Sequence, residues 1–151
     1  DRYKYCKDGE QLDFKTKEEL RAMLKSGLWR FVAKHLDRGY LGPGLDSLRI
    51  IDGTSYRSKL SFANDSVMSR FVYNVDSLGN ETLKRTETLK YDLALSPQGK
   101  LAVRAVYNTT HPNGTPKVEY YYFYFCNADK LVMDQTYFSI VITLYNVYVR
   151  D

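Results

Sequence analysis

Apolar and polar positions along the chain follow two successive periods. Between Thr16 and Gly27, Leu20, Met23 and Leu24 recur at the spacing of one helix face. Thr16 is placed as an N-cap, with Glu19 three residues on completing a capping box. Gly27 is placed as a C-terminal stop. From "LWRFVAKHL" onward the period is two. "LRIIDGTSYRSKLSFAND" holds a short strand, an Asp52-Gly53 turn and a second strand. In that second strand Tyr56, Ser58, Leu60 and Phe62 share one face, and Arg57, Lys59 and Ser61 the other. "SVMSRFVYNVD", "ETLKRTETLKYDLAL", "LAVRAVYNT", "KVEYYYFYFC", "LVMDQTYF" and "IVITLYNVYVRD" follow, separated by the turns "SLGN", "SPQGK", "THPNGTP" and "NADK". Asn113-Gly114 is a hairpin signal. The Gly/Pro stretch "RGYLGPGLDS" is a loop, either a lid at a mouth or a plain connection.

Eight or nine consecutive strands with short turns and no helix between them predict an all-β protein: an up-and-down antiparallel β-barrel of about eight strands with a short N-terminal helix. A sandwich is the alternative. Residues 1–15 read as an N-terminal extension and 16–151 as a single barrel domain.

Two features leave alternatives open. Arg85 and Glu87 interrupt the apolar side formed by Leu83, Leu89, Tyr91, Leu93 and Leu95. Either they are polar groups inside a cavity that tolerates them, or a β-bulge flips the register and leaves them in solvent. Alternation also divides "VEYYYFYF" into Tyr120, Tyr122 and Tyr124 on one face and Tyr121, Phe123 and Phe125 on the other. One set faces the core; the other is an aromatic contact stripe or is covered by a neighbouring segment.

Composition narrows the function. Tyr contributes 14 residues and suits half-buried sheet positions. The net charge of +4 is spread without a block of like charges, so a nucleic-acid partner is not expected. No apolar run reaches the roughly 20 residues of a membrane helix. Asp1 opens the sequence without Met or a signal-peptide pattern, so it reads as a processed or trimmed chain. Asn64, Asn80, Asn108 and Asn113 each begin an Asn-x-Ser/Thr triplet, which reads either as glycosylation of a secreted protein or as ordinary turn chemistry. Cys6 and Cys126, the two cysteines, form one bridge or remain two thiols.

A short helix, then Gly27-Leu28-Trp29 opening the first strand, then about eight meandering strands, resembles the lipocalin (calycin) superfamily. It is most similar in look to bacterial lipocalin-like proteins of the cell envelope. "SKLSFANDSVMSRF" resembles the family's second hairpin, and "YYYFYFCNADKLVMDQTYF" with "YNVYVRD" its closing strands. The family's mid-chain Thr-Asp-Tyr motif does not appear. The resemblance implies that Gly27, Trp29 and Arg150 close one end of the barrel, with the Arg150 guanidinium across the Trp29 indole. It implies an extracytoplasmic location: periplasmic, cell-envelope or secreted.

The expected function is therefore non-enzymatic binding of a small hydrophobic or amphipathic molecule inside the barrel. The expected lining is Tyr56, Leu60, Phe62, Phe71, Leu89, Tyr91, Val103 and Tyr107. The alternative is a protein- or glycan-binding module whose barrel is filled by its own side chains. His35 and His111 have no metal-ligand spacing, and the acids nominate no catalytic pair. No metal, cofactor or catalytic residue is expected.

Overall fold

The computed structural model describes residues 11–37, 49–50, 56–137 and 142–151, with backbone alone at 35–37, 49–50, 56, 135–137 and 142–144. The Gly/Pro loop, the Asp52-Gly53 turn, Cys6 and the Tyr56 side chain lie outside what is described.

Among the described residues one α-helix, α1 (Lys17–Lys25), precedes the strands. The Thr16 hydroxyl accepts the Glu19 N–H, and Glu18 and Glu19 lie at the positive end of the helix dipole. Leu20 and Leu24 are fully buried. The helix ends at Ser26, which stays right-handed, so Gly27 does not stop it by adopting a left-handed conformation.

The strands are β1 (Trp29–Asp37), β2 (Arg49–Ile50), β3 (Tyr56–Ser61), β4 (Val67–Val75), β5 (Glu81–Leu95), β6 (Leu101–Thr110), β7 (Pro116–Asn127), β8 (Lys130–Tyr137) and β9 (Ile142–Arg150). From β3 to β9 each strand pairs antiparallel with the next, and β9 returns to pair with β1 from Trp29↔Arg150 to Asp37↔Thr143. The other edge of β1 takes β3 at Trp29↔Leu60 and β2 further along at Ala33↔Ile50. The short segment at Arg49 thus extends the wall beside β3. The result is a closed, eight-stranded, antiparallel meander barrel with one short N-terminal helix. Among the described residues, closure gives each of the eight long strands a partner on both edges.

Three hairpins share one backbone design. In Asp76–Asn80, Ser96–Lys100 and His111–Thr115 the first residue donates its N–H to the carbonyl of the fifth, and its own carbonyl accepts from a glycine at the fourth. Gly79, Gly99 and Gly114 have φ of 84°, 81° and 88°, the left-handed region that closes a three-residue loop. Asn113 therefore sits in a type I turn followed by a bulge, not in a two-residue turn. Its side-chain oxygen accepts from the Thr115 N–H and hydroxyl; that of Asn64 does the same for Ser66. Both triplets thus take part in turn hydrogen bonding. Asn108 lies within β6, where it does not apply.

Inward positions form one continuous apolar cluster that includes Trp29, Phe31, Leu60, Phe62, Phe123 and Phe125. Tyr121, Phe123 and Phe125 are thus the inward set of β7. Leu12 and Phe14 pack against the same cluster, and the Leu12 N–H donates to the Phe125 carbonyl. Part of the expected extension is therefore integral to the fold. Ala33, Cys126, Val132, Tyr145 and Val147 form a second buried cluster on the opposite face of the wall.

Candidate functional site

The barrel has one filled end and one hollow one. At the filled end α1 sets Leu20 and Leu24 into the barrel axis, and the Trp29 indole N–H donates to the Leu24 carbonyl at 3.1 Å. The Arg150 guanidinium lies 4.6 Å from the Trp29 ring centre. It also donates to the Ala128 carbonyl at 2.6 Å, the Ser26 hydroxyl at 2.6 Å and the Asp129 carboxylate at 3.1 Å. A Cβ on Gly27 would stand 3.1 Å from Arg150 Nη1. Gly27 is there for close approach, which explains a glycine that the backbone conformation does not need.

Above this floor lies a cavity of about 440 Å³. Its apolar lining is Phe31, Leu60, Met68, Leu89, Phe123 and Met133. Its polar lining includes Lys34, Ser58, Arg70, Glu87, Asn146 and Tyr148. Tyr107 and Thr88 complete it. Arg70 and Glu87 keep about 42% of their side-chain surface exposed, so the cavity opens to solvent on their side.

Strand pairing brings these residues together in two inward rows. Lys34 faces Asn146, Asn146 faces Met133, and Met133 faces Phe123 across β1, β9, β8 and β7. Leu60 faces Arg70, and Arg70 faces Glu87, across β3, β4 and β5.

Two β-bulges decide which charges enter. In β1, Phe31 is opposite Tyr148 but Ala33 is opposite Val147, leaving Val32 as the extra residue. Simple alternation from Trp29 and Phe31 would turn Ala33 inward and Lys34 outward. The bulge reverses this: Ala33 joins the outer cluster and Lys34 lines the cavity. In β5, Val72 is opposite Arg85 and Tyr73 opposite Leu83, so Lys84 is the extra residue. Leu83 is thereby turned out, 53% exposed, while Arg85, Glu87 and Leu89 stay on one face. The grouping of Leu83 with Leu89 is corrected, and so is the expectation that a bulge here would send Glu87 away from the barrel.

Glu87 bridges two guanidiniums, Arg70 at 2.8 Å and Arg85 at 3.3 Å. The Tyr148 phenol is buried, and burial pushes its pKa well above the ordinary value, so it stays neutral.

Of the expected lining, Leu60, Leu89 and Tyr107 border the cavity. Phe62, Tyr91 and Val103 are buried in the packed core and do not border it. Phe71 is opposite Lys59 and Thr86, on the other face of β4 from Met68 and Arg70, and belongs to the outer surface. Phe31, Met68, Phe123, Met133 and Tyr148 were not anticipated. Their inward period was readable strand by strand, but which levels remain unfilled depends on how the strands stagger. Among the described residues no group of three His, Cys, Asp or Glu is arranged to hold a metal ion, and no helix is long and apolar enough to cross a membrane.

Outside the barrel Tyr120, Tyr122 and Tyr124 form an outward row beside a crevice of about 310 Å³. Arg104 lies 4.7 Å over the Tyr120 ring and forms two hydrogen bonds to Asp92.

Fold and site together define a class: an eight-stranded up-and-down barrel with a sealed end and an open interior cavity. Comparison with known proteins adds no relative, since no family model, curated protein or solved structure matches the chain.

Proposed function

We propose that this protein is a non-enzymatic, lipocalin-like barrel that works outside the cytoplasm and binds a small hydrophobic or amphipathic molecule in its cavity. The observation that carries this is the cavity itself. About 440 Å³ lies within the range of small-molecule sites, which run from about 300 to 1,000 Å³. A barrel filled entirely by its own side chains would leave no such space. The apolar lining supplies the transfer free energy for an apolar chain or ring, roughly 25 cal/mol per Å² buried. The lipocalin-like reading draws support from the barrel and from the Trp29–Arg150 stack at its sealed end.

Uptake of a neutral naphthylamine dye, followed by its emission, tests the reading. Wild-type protein is expected to bind the dye at one site. Leu89→Trp, which adds bulk at the cavity wall, is expected to abolish uptake while leaving the circular dichroism spectrum unchanged. Absence of uptake by the wild type, or uptake indifferent to Leu89→Trp, overturns the proposal.

The outward tyrosine row supports a second reading, a contact surface for protein or glycan. Tyr120 is 48% exposed and stacks against the Arg104 guanidinium. Loss of partner or glycan binding on Tyr120→Ser, with dye uptake unchanged, would separate the two surfaces.

A further inference from the structure

We infer that the cavity takes an anionic amphiphile, its acid group held by Lys34 and its apolar chain lying on Phe31, Met68 and Met133. This rests on the proposal that the cavity binds a small molecule, and it specifies the chemistry of that molecule.

The first argument is charge. The described residues at the cavity and its mouth carry three cations, Lys34, Arg70 and Arg85, against one carboxylate, Glu87. Glu87 is committed to the two arginines. Lys34 has no ion pair among the described residues, although its row of neighbours, Asn146 and Met133, is inward and buried. A half-buried ammonium without a counter-ion, at the wall of a cavity that is apolar in part, is relieved by an anion that arrives with its own apolar surface.

The second argument is hydrogen bonding. Tyr148 is 7% exposed and Ser58 2% exposed, both line the cavity, and neither hydroxyl has a hydrogen-bond partner among the described residues. Buried hydroxyls are ordinarily satisfied. Here both hydroxyls border the cavity and can donate into it without meeting a protein acceptor at bonding distance. A carboxylate or a similar acid offers acceptor oxygens, whereas an ammonium headgroup would repel Lys34 and leave both donors unmet.

The third argument is how Lys34 comes to be there. The β1 bulge at Val32 is what turns this lysine inward in place of Ala33. Without it the cavity wall at this level would be a methyl group and wholly neutral.

The test is displacement of the neutral dye by dodecanoate, dodecanol and dodecylamine, three probes with one chain and three headgroups. Dodecanoate is expected to displace at roughly tenfold lower concentration than dodecanol, as for one charge-assisted hydrogen bond, with dodecylamine weakest. Lys34→Met is expected to bring dodecanoate and dodecanol within about twofold of each other by lowering the first. Lys34→Arg is expected to keep the preference. Equal displacement by the acid and the alcohol in the wild type, or a preference that survives Lys34→Met, overturns the anion assignment and leaves the cavity reading standing. Failure of the wild type to take up dye or any of the three probes sinks the cavity reading itself. The headgroup series on the wild type decides the matter even if Lys34→Met does not fold.

Discussion

Trp29 and Arg150 stand directly opposite each other where the first strand of the barrel meets the last. The guanidinium lies 4.6 Å over the indole, and its remaining hydrogens are spent on Ala128, Ser26 and Asp129. One contact therefore ties α1, β1, the β7–β8 turn and β9 together at the sealed end. Arg150→Lys keeps the charge but cannot span these acceptors. It is expected to cost about 1–2 kcal/mol, read from urea midpoints. A double-mutant cycle of Arg150→Lys with Trp29→Phe is expected to show a coupling of about 1 kcal/mol. Additive effects would show that the stack contributes nothing.

The bulge in β5 makes two leucines of one strand unequal. Leu83 is 53% exposed and Leu93 only 6%. Leu83→Thr is expected to change stability by less than about 0.5 kcal/mol, and Leu93→Ala to cost about 2–5 kcal/mol. Comparable costs in chemical denaturation would mean that Leu83 faces the core and that the register runs without a break.

Asp92 and Arg104 face each other across β5 and β6 and share two hydrogen bonds of 2.9 and 2.6 Å. The guanidinium holds the Asp92 carboxyl below its ordinary range, against a smaller opposing effect of burial. Arg57, and then Lys59, do the same for Glu81. A carboxyl whose folded pKa is depressed stabilises the fold at every pH above its unfolded value, about 3.9 for Asp. That contribution is lost as pH falls through the lower folded value. Stability is expected to be level between roughly pH 7 and 5 in this respect and to decline below about pH 4. Asp92→Asn is expected to flatten the decline while costing less than about 1 kcal/mol at neutral pH, since the pair is well exposed to solvent. An unchanged acid limb in the variant would remove Asp92 from the account.

We further propose that Cys126 is bridged to Cys6. Cys126 is fully buried in the outer cluster, and no described cysteine is free. Leu12, six residues beyond Cys6, hydrogen-bonds to Phe125, within chain reach of the neighbouring Cys126. Protein unfolded without reductant is expected to take up no thiol reagent and to yield a joined Cys6–Cys126 peptide on digestion. Labelling of both cysteines under those conditions excludes the bridge.

The amino-acid pattern by itself determined the meander. A capped helix, period-two strands and glycine-bearing turns are local signals, each set by side-chain direction or by φ over a few residues. Trp29, Gly27 and Arg150 were nameable in advance only through a resemblance; their packing at one end is a consequence of closure. The cavity was legible in part. Leu60, Leu89 and Tyr107 follow from alternation, but Phe71 does not obey the expected face, and Phe62, Tyr91 and Val103 lie where the interior is already full. Which levels of a barrel stay empty depends on strand stagger, which no single strand encodes. The two bulges mattered most. An extra residue at Val32 and another at Lys84 leave the hydrophobic pattern almost unchanged, yet each reverses the facing of everything beyond it, because the side-chain period of a strand is two. Tertiary pairing alone decided that Lys34 lines the cavity and that Glu87 and its two arginines stand at its mouth.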